Sequence, residues 1–273
     1  MDMKLITKSL SLSKKTAEPE KDMDLINQYS VRELKADEVY CYSLILCDNE
    51  VDRDYERFTR KTLEELATMF LGKTGISDHR HLAANMHSRV YRTMVEDTNK
   101  KTQLGDTLSV LRADAYMLKS AETQPMIDAI EAGILKEVSV GCSIAKRSCS
   151  ICGSAFKFNW ETWSYMCEEN SHRLGKQYDG KLCAGELTGA VDAYEFSFVA
   201  IPAQRNAGVI KSFEGVEDVA EYIATHADQF SDKDLHKLAE IVHKACLSAD
   251  ERELRTKIAE EARQKLQERK IEK

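Results

Sequence analysis

No apolar run in this chain approaches the ~18 residues of a membrane-spanning helix, so the sequence points to no membrane partner. It has no basic block either. Its 39 basic and 46 acidic residues leave a net charge of −7, which argues against nucleic acid as the primary ligand. The first residues lack a signal-peptide core, because Leu5, Ile6, Leu10 and Leu12 are interrupted by polar residues. A Gly-rich phosphate loop is missing, so nucleotide chemistry has no support. With 31% charged and 42% hydrophobic residues, the composition is that of a soluble protein, long enough for one substantial domain plus an appendage. Eight cysteines without a secretion signal imply reduced thiols in a cytosol. Cys41 and Cys47 fall on one strand face and Cys246 on a helix, and these three read as buried small hydrophobes.

Along the chain, residues 1–25 are rich in Lys, Ser and Glu without periodicity and read as a flexible arm. The run Val39–Cys47 reads as a buried strand, ended by the acidic turn Asp48–Asp54. Thr62 and Glu65 form a capping box for a helix that runs to Phe70 and closes at Gly72. Short strands are expected near Gly75–His79, Ser88–Val95 and Thr107–Leu118. A second helix starts at Thr123, with Pro125 in its first turn, and stops at Gly133. Many short strands, two helices and no βαβ alternation predict a β-barrel or sandwich with helices outside. After Phe213 the composition turns charged and helical: Val216–Phe230, Ser231–Leu247 and Asp250–Lys273. Leu254, Ile258, Ala262 and Leu266 make an i+4 stripe on the last of these, either a helix covering its own domain or an oligomerisation or docking surface.

Between two apolar runs, Lys136–Ala145 and Val191–Ile201, lies a polar stretch holding Cys149-Ser-Ile-Cys152, Cys167 and His172. The C-x2-C pair followed by Cys and His can close a tetrahedral zinc site. Cys183 is a fifth candidate that could replace His172. Four protein ligands leave no open position, so the metal should be structural, supplying folding free energy to a loop poor in aliphatic residues.

In Lys136-Glu-Val-Ser-Val-Gly-Cys142, alternation puts Val138, Val140 and Cys142 on one face and Ser139 with Gly141 on the other. In the second run, Tyr194, Phe196 and Phe198 face one way, Glu195 and Ser197 the other. His79 follows Asp78 at the end of a short strand. Ser139, His79 and Glu195 thus supply the hydroxyl, imidazole and orienting acid that nucleophilic hydrolysis needs. By chemistry alone His81 and His87 are equal candidates. Cys142, on the apolar face, is a poor nucleophile.

Taken in order, Ile76-Ser-Asp-His79, Lys136-Glu-Val-Ser-Val-Gly141 and Tyr194-Glu-Phe-Ser-Phe-Val-Ala-Ile-Pro-Ala203 resemble the tailed-phage prohead (capsid maturation) serine proteases. The resemblance covers residues 36–212. It implies an α+β fold: a small β-barrel with surrounding helices, distantly similar to the herpesvirus assembly proteases. It also implies a catalytic His79, Ser139 and, as the acidic member, Glu195. Some members of the family look similar in carrying a Cys-rich insertion after the serine strand, here residues 147–185. Cys142 departs from the family, where an aromatic is more usual, and the helical tail over 214–273 lies outside the resemblance. The implied activity is a serine endopeptidase that cleaves scaffold and capsid proteins and itself, in the host cytoplasm inside the immature head, with a possible homo-oligomer. The alternative is a catalytically inactive, zinc-stabilised capsid assembly or scaffolding protein.

Overall fold

The structure, a computed structural model, describes residues 19–210. The helices expected after Phe213 and the arm up to residue 18 lie outside the described residues. In chain order the elements are α1 (Pro19–Ile26), β1 (Val39–Asp48), β2 (Glu56–Phe58), α2 (Arg60–Phe70), β3 (Thr74–Ser77), β4 (Ser88–Lys101), β5 (Thr107–Leu118) and α3 (Gln124–Glu131). Then follow β6 (Val138–Cys149), β7 (Phe156–Asn159), β8 (Ser164–Cys167), β9 (Gln177–Tyr178), β10 (Lys181–Leu182), β11 (Gly185–Phe198) and β12 (Gly208–Val209). This is a mixed α+β protein with a mostly sheet core. No helix among the described residues is long and apolar enough to cross a membrane.

Eight strands form one sheet in the order β12-β1-β5-β4-β3-β11-β2, with β6 on the other edge of β11. β11 organises it: one edge pairs in parallel with β2 through Gly185–Leu187 and with β3 through Glu195–Phe198, while the other pairs antiparallel with β6. The expected barrel is corrected to an open sheet. Between β6 and β12 there is a single bridge, Glu137↔Gly208, with the Val209 N–H donating to the Lys136 carbonyl at 2.8 Å. At two residues, β12 is too short to extend that bridge into a ladder.

The main core fills with Leu44, Leu46, Leu63, Leu66, Phe70, Leu111, Val138, Phe196 and Phe198. α2 contributes three of these because Leu63, Leu66 and Phe70 share one helix face. The helix is capped by Thr59, whose hydroxyl oxygen accepts from the Thr62 N–H at 3.3 Å, not by the expected Thr62–Glu65 box. Those two residues tie α2 to the sheet instead: Thr62 Oγ1 donates to the Leu187 carbonyl (2.9 Å), and Glu65 Oε2 accepts from Ala190 N (2.8 Å). α3 is bounded as expected, by Thr123 and by Gly133 at φ +71°.

A second cluster, Ile26, Leu34, Val39, Tyr91 and Tyr116, packs α1 against the sheet. The arm expected to be flexible over 1–25 therefore ends in a docked helix. Asp22 fixes it, accepting from Tyr91 Oη at 2.9 Å and pairing with Arg92.

Candidate functional site

His79 lies just beyond β3 in a turn where both Asp78 and His79 adopt left-handed backbone, at φ +54° and +52°. Two consecutive non-glycine residues there are uncommon and persist only under external restraint. The restraint is visible. Asn85 Nδ2 donates to the carbonyls of Ser77 (2.7 Å) and Arg80 (2.9 Å), and the Asp78 N–H donates to the Phe198 carbonyl (2.9 Å). The turn aims the imidazole at β11, and His79 Nδ1 lies 2.8 Å from Glu195 Oε1.

Glu195 is almost fully buried, at 5% side-chain exposure, whereas the His79 side chain is 42% exposed. A buried carboxylate needs donors. Glu195 Oε1 faces His79 Nδ1, which as an N–H donates to it, and Oε2 accepts from Ser197 Oγ at 2.9 Å. This tautomer leaves His79 Nε2 with its lone pair free.

Ser139 is brought to the same place by the β6–β11 ladder, where Ser139 pairs with Ser197 and Gly141 with Glu195. Directly opposed residues share a face, with Cβ atoms about 5 Å apart. Ser139, Gly141, Glu195 and Ser197 therefore line one surface beside His79. Among the described residues no hydrogen bond joins Ser139 Oγ to His79.

The alternation expected for β11 holds for Phe196 and Phe198, both buried, but not for Tyr194, which is 48% exposed. A register shift between Ala193 and Glu195 makes Tyr194 the extra residue of a bulge. The bulge lets buried Ala193 face the core while Glu195, two residues on, faces the site. On β6, Cys142 packs against the core as expected, and burial and the Glu195 charge push its thiol up to about 11. It is no nucleophile near neutral pH.

The structure separates the three histidines. His81 Nε2 approaches the same Glu195 oxygen only to 3.7 Å and is 64% exposed. His87 is turned inward against Phe198, with Nδ1 3.0 Å from Ser88 Oγ and Nε2 buried without a hydrogen-bond partner. Burial lowers its basicity. Of the three, His79 alone hydrogen-bonds Glu195.

The second cluster lies where the chain leaves the sheet. The ligand atoms of Cys149, Cys152, Cys167 and His172 all lie within 4.8 Å of one another. Cys152 and Cys167 Sγ are 3.6 Å apart, and Cys149 Sγ is 3.7 Å from His172 Nδ1. Thiolates at 2.3 Å from a tetrahedral metal would stand about 3.8 Å apart, so the group can hold a metal ion. Cys149 ends β6 and Cys167 ends β8, and the His172 N–H donates to Cys167 Sγ at 3.1 Å. Tyr178 packs edge-on against the His172 ring at 4.6 Å. Cys183, fully buried, has its Sγ 3.7 Å from that of Cys149, so it borders the cluster as the fifth candidate.

Comparison with protein-family models, curated proteins and solved structures gives no match. Ser197 is the participant that sequence reasoning placed on the right face without giving it a role. Its signal was the two-residue spacing from Glu195 on one strand.

Proposed function

We propose that this chain is a serine endopeptidase of the prohead-protease type. The observation that carries the reading is the 2.8 Å contact of His79 Nδ1 with a buried Glu195, on the face that Ser139 shares. In the proposed reaction His79 Nε2 takes the hydroxyl proton as Ser139 Oγ attacks a peptide carbonyl. The tetrahedral intermediate collapses with proton transfer from His79 to the leaving amine. Water, activated by the same imidazole, then releases the acyl group and restores Ser139. Glu195 holds the Nδ1–H tautomer and offsets the positive charge on the ring. General base catalysis of this kind contributes about 10²–10⁴-fold.

We assign zinc to the Cys149–Cys152–Cys167–His172 group in a structural role, since thiolate-rich sets with four protein ligands favour it and leave no position for substrate. The substrates of this reading are capsid and scaffolding proteins and the chain itself, cut inside the immature head in the host cytoplasm.

The test is co-expression with the neighbouring head proteins, comparing intact masses for wild type and Ser139→Ala. Discrete truncations that vanish in the variant are expected. Identical masses would favour an inactive, metal-stabilised assembly protein. That second reading has one observation behind it, the missing hydrogen bond between Ser139 Oγ and His79.

A further inference from the structure

Ser197 has no part in the proton transfers above, yet it is wholly inaccessible, on the face of β11 opposite the core residues Phe196 and Phe198. A hydroxyl in such surroundings is tolerated only through its hydrogen bonds, and here both lead to the candidate triad. Ser197 Oγ donates to Glu195 Oε2 at 2.9 Å and accepts the backbone N–H of His79 at 3.0 Å. One side chain thus holds the acid and the strained backbone of the base together. β11 lies between β3 and β6, so Ser197 is flanked by Ile76 on one side and Ser139 on the other.

We propose that Ser197 is a positioning residue of this site, fixing the Glu195 carboxylate and the left-handed His79 turn in one network before substrate arrives. The inference rests on the serine-protease reading. Removing the hydroxyl has two consequences. Glu195 Oε2 loses its donor, so the carboxylate is less firmly held toward His79 Nδ1. The His79 N–H loses its acceptor, so the turn is held by fewer bonds.

Ser197→Ala should therefore lower kcat about 10–100-fold, the scale of small misplacements at a reacting centre, with KM little changed.

The experiment uses the full-length chain as wild type, Ser197→Ala, Ser197→Thr and Ser139→Ala, with processing rates followed by intact mass at several substrate concentrations. Proton NMR of the downfield Nδ1–H of His79 is recorded in Ser139→Ala, alone and with Ser197→Ala, so this arm needs no turnover. The expected results are slowed processing in Ser197→Ala through kcat and not KM, recovery in Ser197→Thr, and a displaced or broadened Nδ1–H signal. Should Ser197→Ala fail to fold, the near-isosteric Ser197→Cys carries the same expectation. An unchanged Nδ1–H signal together with a wild-type kcat would overturn the role of Ser197. Processing that survives Ser139→Ala would instead overturn the protease reading, whatever Ser197 does.

Discussion

Gly141 lacks a side chain where Glu195 needs the space: a Cβ there would lie 2.4 Å from Glu195 Oε1. That oxygen belongs to a flexible side chain, but it is buried and held by His79, so it can yield only by abandoning the imidazole. We expect Gly141→Ala to leave the fold intact and slow processing about 10–100-fold, checked by thermal melting beside a processing assay. Cys142 gives the complementary outcome. Its thiol is pushed up to about 11, so the reactive thiolate is scarce at pH 7 and grows only as pH rises toward that value. Iodoacetamide should label Cys142 slowly at pH 7, and Cys142→Ser should process normally. Loss of processing on either treatment would return the nucleophile to the thiol. At this scale the identities of Ser139, Glu195 and His79 were legible as types. Which histidine meets Glu195 was not, because the choice depends on two left-handed residues and on Asn85 holding their turn.

Period-two counting located the strands but missed their irregularities. A register shift between Ile45 and Cys47 sends Cys47 into the main core, while Cys41 packs beside Tyr91 and Tyr116, although equal parity predicts one face for both thiols. The Tyr194 bulge hides in the same way, since an extra residue leaves no mark in a hydrophobic pattern. α1 escaped notice because its partners, Tyr91 and Arg92, lie some 70 positions away, as the Tyr91–Asp22 separation of 69 shows. The cap of α2 was placed one turn late. Thr59→Ala should cost about 1 kcal/mol of stability, measured by urea denaturation. In the turn between β1 and β2, burial raises Asp52 to about 6, above its ordinary carboxylate value. A raised acid favours the protonated folded state, so its contribution is present below about pH 4 and is lost as pH rises through about 6. Asp52→Asn should flatten the stability profile between those limits. A profile that keeps its slope would mean another group sets it.

Across the whole molecule, one pairing, β6 with β11, shifted in register between Ala190 and Asp192 and again between Ala193 and Glu195, serves both clusters: Ser139 and Glu195 lie at one end, and Cys149 opposite Gly185 at the other. The Cys/His spacing was the most legible feature in the sequence, because a metal demands few residues at short separation. The open sheet was not, since closure depends on the length of β12, too short to signal itself. Chelation should unfold the β7–β10 region first and loosen the β6–β11 ladder next to Cys149. Hydrogen exchange should show that order, with about one equivalent of zinc released. Loss of protection throughout the sheet at once would instead make the metal integral to the whole fold. If Ser139 is a nucleophile activated by His79, a fluorophosphonate probe read by peptide-level mass spectrometry should leave one adduct, on Ser139, lost in His79→Gln. An adduct elsewhere, or one of equal yield in His79→Gln, would rule that chemistry out.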